Sequence, residues 1–195
     1  MKRPIGSKKE QMFDKLTSAQ KIANVLYIFP DKDFTLTALS EESGVSKSTA
    51  SELIRELEKS GFIKMEWIGK KTLLIRANRE SSIFIKWKIV NNLTIIYDSG
   101  IVEFLNDHYR NPKAMALFGS FRWGQDGKDS DIDIAVEVVD DVGYDVHTFP
   151  ALKEFEKMLN RKIQVHVFNR NRIDLNLFNN IANGIVLVGF LEVNK

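Results

Sequence analysis

Residues 117–136 of the sequence are LFGSFRWGQDGKDSDIDIAV, and this stretch is the most informative about the fold of the C-terminal half. Its apolar start predicts a strand that ends at Gly119-Ser120, and ten residues then separate Ser120 from Asp131. Asp131 and Asp133 open a second predicted strand. Because they are at i and i+2, their carboxylates point to the same face of that strand.

This arrangement of residue types suits the binding of a cation and a polyphosphate. Two neighbouring carboxylates repel each other unless a cation sits between them, and hard oxygen ligands select Mg²⁺ or Mn²⁺. Gly119 lets a triphosphate approach the backbone closely, and the N–H groups and hydroxyl of Ser120 can cradle its oxygens. Arg122 is a further candidate phosphate contact.

The same residues resemble the signature of the DNA polymerase β-like nucleotidyltransferase superfamily, in particular its minimal, antitoxin-type branch. The resemblance covers about residues 112–190. It implies that Gly119 and Ser120 bind the triphosphate of a nucleoside triphosphate. It also implies that Asp131 and Asp133 are catalytic residues, which bind the Mg²⁺ or Mn²⁺ used to transfer a nucleotidyl group to a hydroxyl acceptor.

One departure from that family concerns a third carboxylate, which the family places on a later strand as a metal ligand and aid to deprotonation. The matching position here is Gln164, which cannot ionise. His166 shares its face, and both a role as base or ligand and a purely structural role remain open. Glu137 lies about 13 Å along the strand from Asp133, which is too far to complete the same site.

The remainder of this half alternates helix and strand, which predicts a small mixed-sheet domain at residues 112–195. Further elements are predicted as a strand at 132–139, a helix at 149–159, a strand at 162–168 and a helix at 175–183.

The N-terminal half predicts a winged helix-turn-helix domain at residues 16–80. The expected elements are helices at 17–29, 35–42 and 47–60 and strands at 62–68 and 72–76. The segment from Leu39 to Ala50, continued by 57–64, resembles the archaeal and bacterial winged helix family of transcriptional regulators. That resemblance implies binding to double-stranded DNA, although winged helices also serve as protein–protein modules.

The third helix has an apolar stripe at i, i+3, i+4 and i+7, which turns its polar residues outward. Near the start of such a helix, hydroxyls and cations suit phosphate and base-edge contacts in the major groove. The candidate DNA-binding residues are Lys47, Ser48, Thr49, Ser51 and Arg55 on the helix and Lys70 and Lys71 at the tip of the hairpin.

Residues 81–111 are predicted to form a helical connector with a break at Ser99-Gly100, and their excess of apolar side chains makes them a candidate homodimer interface. Residues 1–15 are expected to form a basic tail. Residues 1–90 hold 17 Lys and Arg against 11 Asp and Glu, whereas residues 91–195 hold 11 against 15. This asymmetry supports an anionic partner for the first half.

Composition narrows the class of protein further. The absence of cysteine excludes disulfides and thiolate metal sites, and it fits a cytoplasmic location. No apolar run approaches the ~20 residues of a membrane span, so no membrane association is expected.

The sequence therefore predicts an α+β chain, with a winged helix domain, a helical connector and a C-terminal nucleotidyltransferase-like domain. It favours a DNA-binding transcriptional regulator that binds Mg²⁺ and a nucleoside triphosphate. The alternative is a catalytically inactive transcription factor that uses the second domain for dimerisation or to bind a protein partner such as a toxin.

Overall fold

The computed structural model describes residues 16–69 and 71–193. The chain divides into two compact units at Ala77/Asn78, so the division falls three residues before the predicted boundary at residue 80. The predicted basic tail (residues 1–15) and Lys70 lie outside the described residues. None of the described helices combines the length and the apolarity that a membrane span requires.

The first unit has three helices followed by an antiparallel hairpin, which is the predicted winged helix order. Its elements are α1 (Ser18–Ile28), α2 (Leu36–Ser43), α3 (Lys47–Lys59), β1 (Ile63–Ile68) and β2 (Thr72–Ala77). Phe34 forms an isolated bridge with Ile75, which ties the segment before α2 to the hairpin.

Local capping explains the tight turn between α2 and α3. Gly44 ends α2 with a φ of 64°, a left-handed conformation that glycine adopts without steric cost. The Ser46 side chain accepts a hydrogen bond from the backbone N–H of Thr49 and so caps α3. Ala50 and Ile54 of α3 are buried, which confirms the direction of the predicted stripe.

The second unit is a five-stranded mixed sheet covered by helices. Its elements are α4 (Ser82–Ser99), α5 (Ile101–His108), β3 (Ala114–Phe118), α6 (Gly119–Trp123), β4 (Ile132–Glu137), β5 (Asp145–His147), α7 (Leu152–Leu159), β6 (Ile163–Phe168), α8 (Leu175–Ala182) and β7 (Ile185–Gly189). The strand order is β5-β6-β4-β3-β7, and only β4 and β6 run parallel. The predicted α+β class is confirmed, while α6, β5 and β7 are additions to the predicted elements.

The two faces of this sheet have different coverings. Along β4, Ile132 and Ile134 pack in the main core with residues of α4, α5 and α7. Ala135 lies on the opposite face, in a smaller core that includes Ile181 of α8. Because side chains alternate along a strand, Asp133 also lies on this second face.

Residues 81–111 differ from the predicted connector. They form α4 and α5, and Ile96, Ile101 and Leu105 are fully buried in the main core of the second unit. Part of the apolar excess assigned to a dimer interface therefore belongs to this core. Trp87 and Tyr97 of α4 are exposed, and a homodimer through them stays a prediction.

A buried ionic cluster holds the loop between α6 and β4. The Asp126 carboxylate is 1% exposed and lies 3.2 Å from Lys88 Nζ and 3.2 Å from Arg161 Nη2. Asn92 donates to the same carboxylate and to the carbonyl of Phe121. Burial lowers the pKa of Lys88, and the Asp126 charge opposes that effect. The cluster thus joins α4, the loop and the start of β6.

We expect Asp126→Asn to lower the free energy of unfolding by about 3–5 kcal/mol, because it leaves the buried Lys88 ammonium without its counter-charge. Urea denaturation of the full chain measures this change. Asp129→Asn, at an exposed position in the same loop, is the matched control and should change stability by less than about 0.5 kcal/mol. Equal effects of the two substitutions would contradict a structural role for the cluster.

Candidate functional site

The centre of the candidate site is a close approach between Gly119 and Asp133. In the antiparallel pairing of β3 with β4, Phe118 lies opposite Asp133, so the next residue begins the turn beside that carboxylate. A Cβ added to Gly119 would overlap Asp133 Oδ2 and lie 3.1 Å from Asp133 Cγ. Only glycine fits here, and its φ of 70° is left-handed as well. The Gly-Ser turn and the Asp133 carboxylate therefore lie directly beside each other in the fold.

Strand β6 supplies the neighbours of both aspartates. In the parallel pairing of β4 with β6, Asp133 is in register with Gln164. Gln164 Nε2 donates to Asp131 Oδ2 at 2.6 Å, and His166 Nε2 lies 3.2 Å from Asp133 Oδ1. The aspartates thus face β6 from the same side, and their hydrogen-bond partners among the described residues are an amide and an imidazole rather than lysine or arginine.

His166 is 7% exposed and held on three sides. Its Nδ1 lies 2.7 Å from the hydroxyl of Tyr144, and its ring packs edge-on against Phe118. Burial raises the pKa of Tyr144, and the charges of Asp133 and Asp145 add to this effect, so the phenol keeps its proton. Tyr144 is a site residue that the sequence analysis misses, because it lies in an irregular loop with no motif.

Ser120 and Arg122 lie on α6, directly after the turn. Both are partly exposed, and Arg122 stacks its guanidinium 3.5 Å from the centroid of the Trp123 ring. Arg122 Nε is buried and has no hydrogen-bond partner among the described residues. A polar group of this kind beside the turn suits an anionic ligand.

The other charged residues near β4 and β6 are engaged in structural ion pairs. Glu137 is 1% exposed and accepts two hydrogen bonds from Arg170, which agrees with its exclusion from the site. Arg172 pairs with Asp141, and Arg161 belongs to the Asp126 cluster. Arg161 and Arg170 are therefore engaged with buried carboxylates, whereas the Arg172–Asp141 pair is exposed.

An open cavity of about 510 Å³ adjoins Asp131 and Gln164. Its wall is partly apolar, with Phe149 and Ile163, and Lys153 adds a positive charge. The volume lies within the ~300–1,000 Å³ range of small-ligand pockets. There is room for a nucleoside-sized group beside Asp131.

The predicted DNA-binding residues lie on the outer side of α3. Lys47, Ser48 and Arg55 are exposed, whereas Thr49 and Ser51 are partly buried. The hydroxyls of Ser48 and Thr49 lie 3.0 Å and 2.9 Å from Ser46 Oγ, so they are linked to the N-cap. Lys71 is exposed after the hairpin turn.

Comparison with protein families assigns both halves of the chain. Residues 99–189 match the family "Polymerase beta, Nucleotidyltransferase", and residues 18–66 match the IclR helix-turn-helix domain. The chain therefore combines a helix-turn-helix domain with a nucleotidyltransferase domain of the polymerase β type, as the sequence predicts. The helix-turn-helix match supports the prediction of a DNA-binding regulator. No curated protein sequence matches the chain significantly.

Among solved structures, the chain is similar to MepR, a transcription regulator of the Staphylococcus aureus multidrug efflux pump MepA. The identity is 20%, over 50% of this chain and 68% of that one, with a TM-score of 0.36. Lactococcus lactis ZitR in complex with DNA is 17% identical over 56% and 84%, with a TM-score of 0.32. The heme sensor PefR of Streptococcus agalactiae is 23% identical over 47% and 72%, with a TM-score of 0.28. With TM-scores this low, we base no inference on these three likenesses.

We expect Gly119→Ala to lower the free energy of unfolding by about 1–3 kcal/mol, because the new methyl group must displace Asp133 and the left-handed backbone is itself strained. Thermal or urea denaturation measures the change. Gly127→Ala is the control, since a Cβ at that position meets nothing within 4 Å. Identical stabilities of the two variants would show that the close approach is absent in solution.

Proposed function

We propose that this protein is a DNA-binding transcriptional regulator whose nucleotidyltransferase domain binds a nucleoside triphosphate together with Mg²⁺ or Mn²⁺. The observation that carries the proposal is the contact distance between the Gly119 backbone and the Asp133 carboxylate. A polyphosphate at the Gly-Ser turn lies beside a carboxylate, and the repulsion between the two anions is relieved by a divalent cation.

The donor set fits such a cation only when the nucleotide is also bound. Asp131 and Asp133 offer oxygen ligands, which suit Mg²⁺. Among the described residues, no group of three or more His, Cys, Asp or Glu side chains is arranged to hold a metal ion. Mg²⁺ commonly takes one or two carboxylates and completes its shell with phosphate oxygens and water. When bound, the ion supplies positive charge that neutralises the phosphates.

The residues of the turn would bind and orient the triphosphate. The backbone at Gly119 admits a phosphate at close range, and the Ser120 hydroxyl is a donor beside it. Arg122 has an unsatisfied Nε on the same short helix. The cavity beside Asp131 then accommodates the remainder of the nucleotide or an acceptor.

Isothermal titration with ATP tests this site. We expect heat of binding in the presence of Mg²⁺ and its loss in an Asp131→Ala/Asp133→Ala double variant, because the cation then has no protein ligand. An Asp129→Ala/Asp140→Ala variant removes two exposed carboxylates of the same region and should bind like the wild type. Absence of heat from the wild-type protein, or unchanged heat in the Asp131/Asp133 variant, would overturn the proposal.

The first unit supplies the proposed contact with double-stranded DNA. Lys47 and Arg55 are exposed on α3, the second helix of the helix-turn-helix, which enters the major groove in such motifs. Each phosphate that a cation neutralises releases counterions, so affinity falls with salt concentration.

We expect Lys47→Ala/Arg55→Ala to reduce the slope of log affinity against log salt by about 2, one for each lost phosphate contact. Fluorescence anisotropy with a labelled duplex of mixed sequence, over a series of salt concentrations, measures the slope. Lys21→Ala/Lys59→Ala removes two other exposed cations of the same unit and should leave the slope nearly unchanged. The same slope in all three proteins would refute this assignment of the DNA-binding face.

A second candidate function follows from Gln164. The position in register with Asp133 carries an amide, so the site lacks a third carboxylate to accept the proton of an attacking hydroxyl. This favours a regulator that binds nucleotide, or a protein partner such as a toxin, without transferring a nucleotidyl group. Transfer of label from α-labelled ATP to any macromolecule, dependent on Asp131 and Asp133, would exclude it.

A further inference from the structure

Strand β6 gives each of the two aspartates one hydrogen-bond donor. Gln164 Nε2 donates to Asp131 Oδ2, and two residues further on His166 Nε2 lies within hydrogen-bond distance of Asp133 Oδ1. Both donors come from the second face of the sheet because they are at i and i+2 on one strand. A strand that would carry a third carboxylate therefore carries donors instead.

The tautomer of His166 follows from its two neighbours. An ionised carboxylate only accepts hydrogen bonds, so the imidazole nitrogen that faces Asp133 must carry a proton. In the neutral imidazole the other nitrogen, Nδ1, is then an acceptor. Tyr144 lies 2.7 Å away and, with its raised pKa, is a protonated donor at neutral pH. The Asp133 carboxylate thereby selects the Nε2–H form, and the Tyr144 hydroxyl, which can donate or accept, donates to Nδ1 and supports the ring.

We propose that Gln164 and His166 are positioning residues that hold Asp131 and Asp133 ready for a metal–nucleotide complex, and that Tyr144 supports the His166 ring through its contact with Nδ1. This inference rests on the proposed function for its ligand. In this arrangement β6 orients the metal ligands instead of contributing one of its own. Outer-shell partners of metal sites act in the same way.

Each carboxylate keeps an oxygen for the ligand in this arrangement. Asp133 Oδ2 faces the Gly119 backbone, while only Oδ1 meets His166. Asp131 Oδ1 has no hydrogen bond to the described residues, while Oδ2 meets Gln164. The donors also relieve the repulsion between the two carboxylates when no cation is bound.

Titration of ATP with Mg²⁺ into three variants tests the proposal. We expect His166→Leu to weaken binding about 10- to 100-fold, and Tyr144→Phe about 10-fold, because the donor or the hydrogen bond that supports its ring is lost. His166→Gln keeps a donor at the place of Nε2 and should bind within about threefold of the wild type. Tyr97→Phe, at an equally exposed tyrosine on α4, is the control.

A merely structural histidine would behave differently. His166→Leu and His166→Gln would then lower the melting temperature to the same extent, and the folded variants would bind ATP like the wild type. If His166→Leu fails to fold, Tyr144→Phe and His166→Gln still decide between these outcomes. Equal affinities of the wild type and Tyr144→Phe would overturn the role of Tyr144.

A spectroscopic measurement separates this inference from the proposed function. The ¹⁵N shifts of the His166 imidazole at pH 8 should show a protonated Nε2 and a bare Nδ1, both in the wild type and in Tyr144→Phe, because Asp133 sets the tautomer. A protonated Nδ1 in the wild type would contradict the hydrogen-bond arrangement, whether or not ATP binds. Absence of ATP binding with an intact Nε2–H signature would defeat the proposed function and leave the hydrogen-bond arrangement of β6 standing.

Discussion

The buried carboxylate of Asp126 is the constraint on which the arrangement of the second unit depends. Desolvation of an ion is costly, so Asp126 is tolerated only because Lys88 and Arg161 both reach it. Those partners come from α4 and from the segment before β6, and the carboxylate itself lies in the loop that joins the Gly-Ser turn to the aspartates. One charge cluster therefore fixes the relative positions of the turn, β4 and β6.

A second constraint is that Gly119 has no side chain. This allows the candidate site to form on the framework that the charge cluster holds in place. Antiparallel pairing of β3 with β4 aligns the end of one strand with the start of the other. With glycine at the turn, the backbone approaches the Asp133 carboxylate at a distance that no other residue permits. The alternation of β4 keeps its aliphatic residues in the main core and leaves the aspartate on the other face. Folding of the sheet and formation of the site thus use the same periodicity.

The sequence was sufficient for the elements whose signal is local. The stripe of α3 and the i, i+2 spacing of the aspartates need only the period of a helix or a strand, and both are observed in the structure. The position of Gln164 on β6 was also predictable, because apolar and polar residues alternate regularly along that strand. For residues of this kind, a few neighbouring positions in the sequence are enough to predict where the side chain lies.

Other features depend on partners far along the chain. Lys88 lies in an Ile-rich helix, and its burial is explained only by its contact with Asp126, which is 38 residues away. Strand β5 has three residues with largely exposed side chains, so it lacks the apolar alternation that marks a strand. Tyr144 precedes that strand, and its contact with His166 is set by the pairing of β5 with β6. The aliphatic excess of 81–111 also suits a dimer surface, because the sequence does not show which side of α4 and α5 meets the sheet.

The replacement of a carboxylate by donors on β6 changes the electrostatic character of the proposed site. Three carboxylates in one place repel each other and need a cation to be stable, so such a site favours the metal even without substrate. Here the two aspartates each have a donor, and the described residues offer no third anionic ligand. The remaining ligands of the ion must then come from the triphosphate and from water, so the nucleotide strengthens metal binding and the metal strengthens nucleotide binding. If the proposed function holds, the fraction of the second unit with bound ligand depends on the concentration of the metal–nucleotide complex rather than on that of the free metal. This property suits a regulator more than a constitutive transferase.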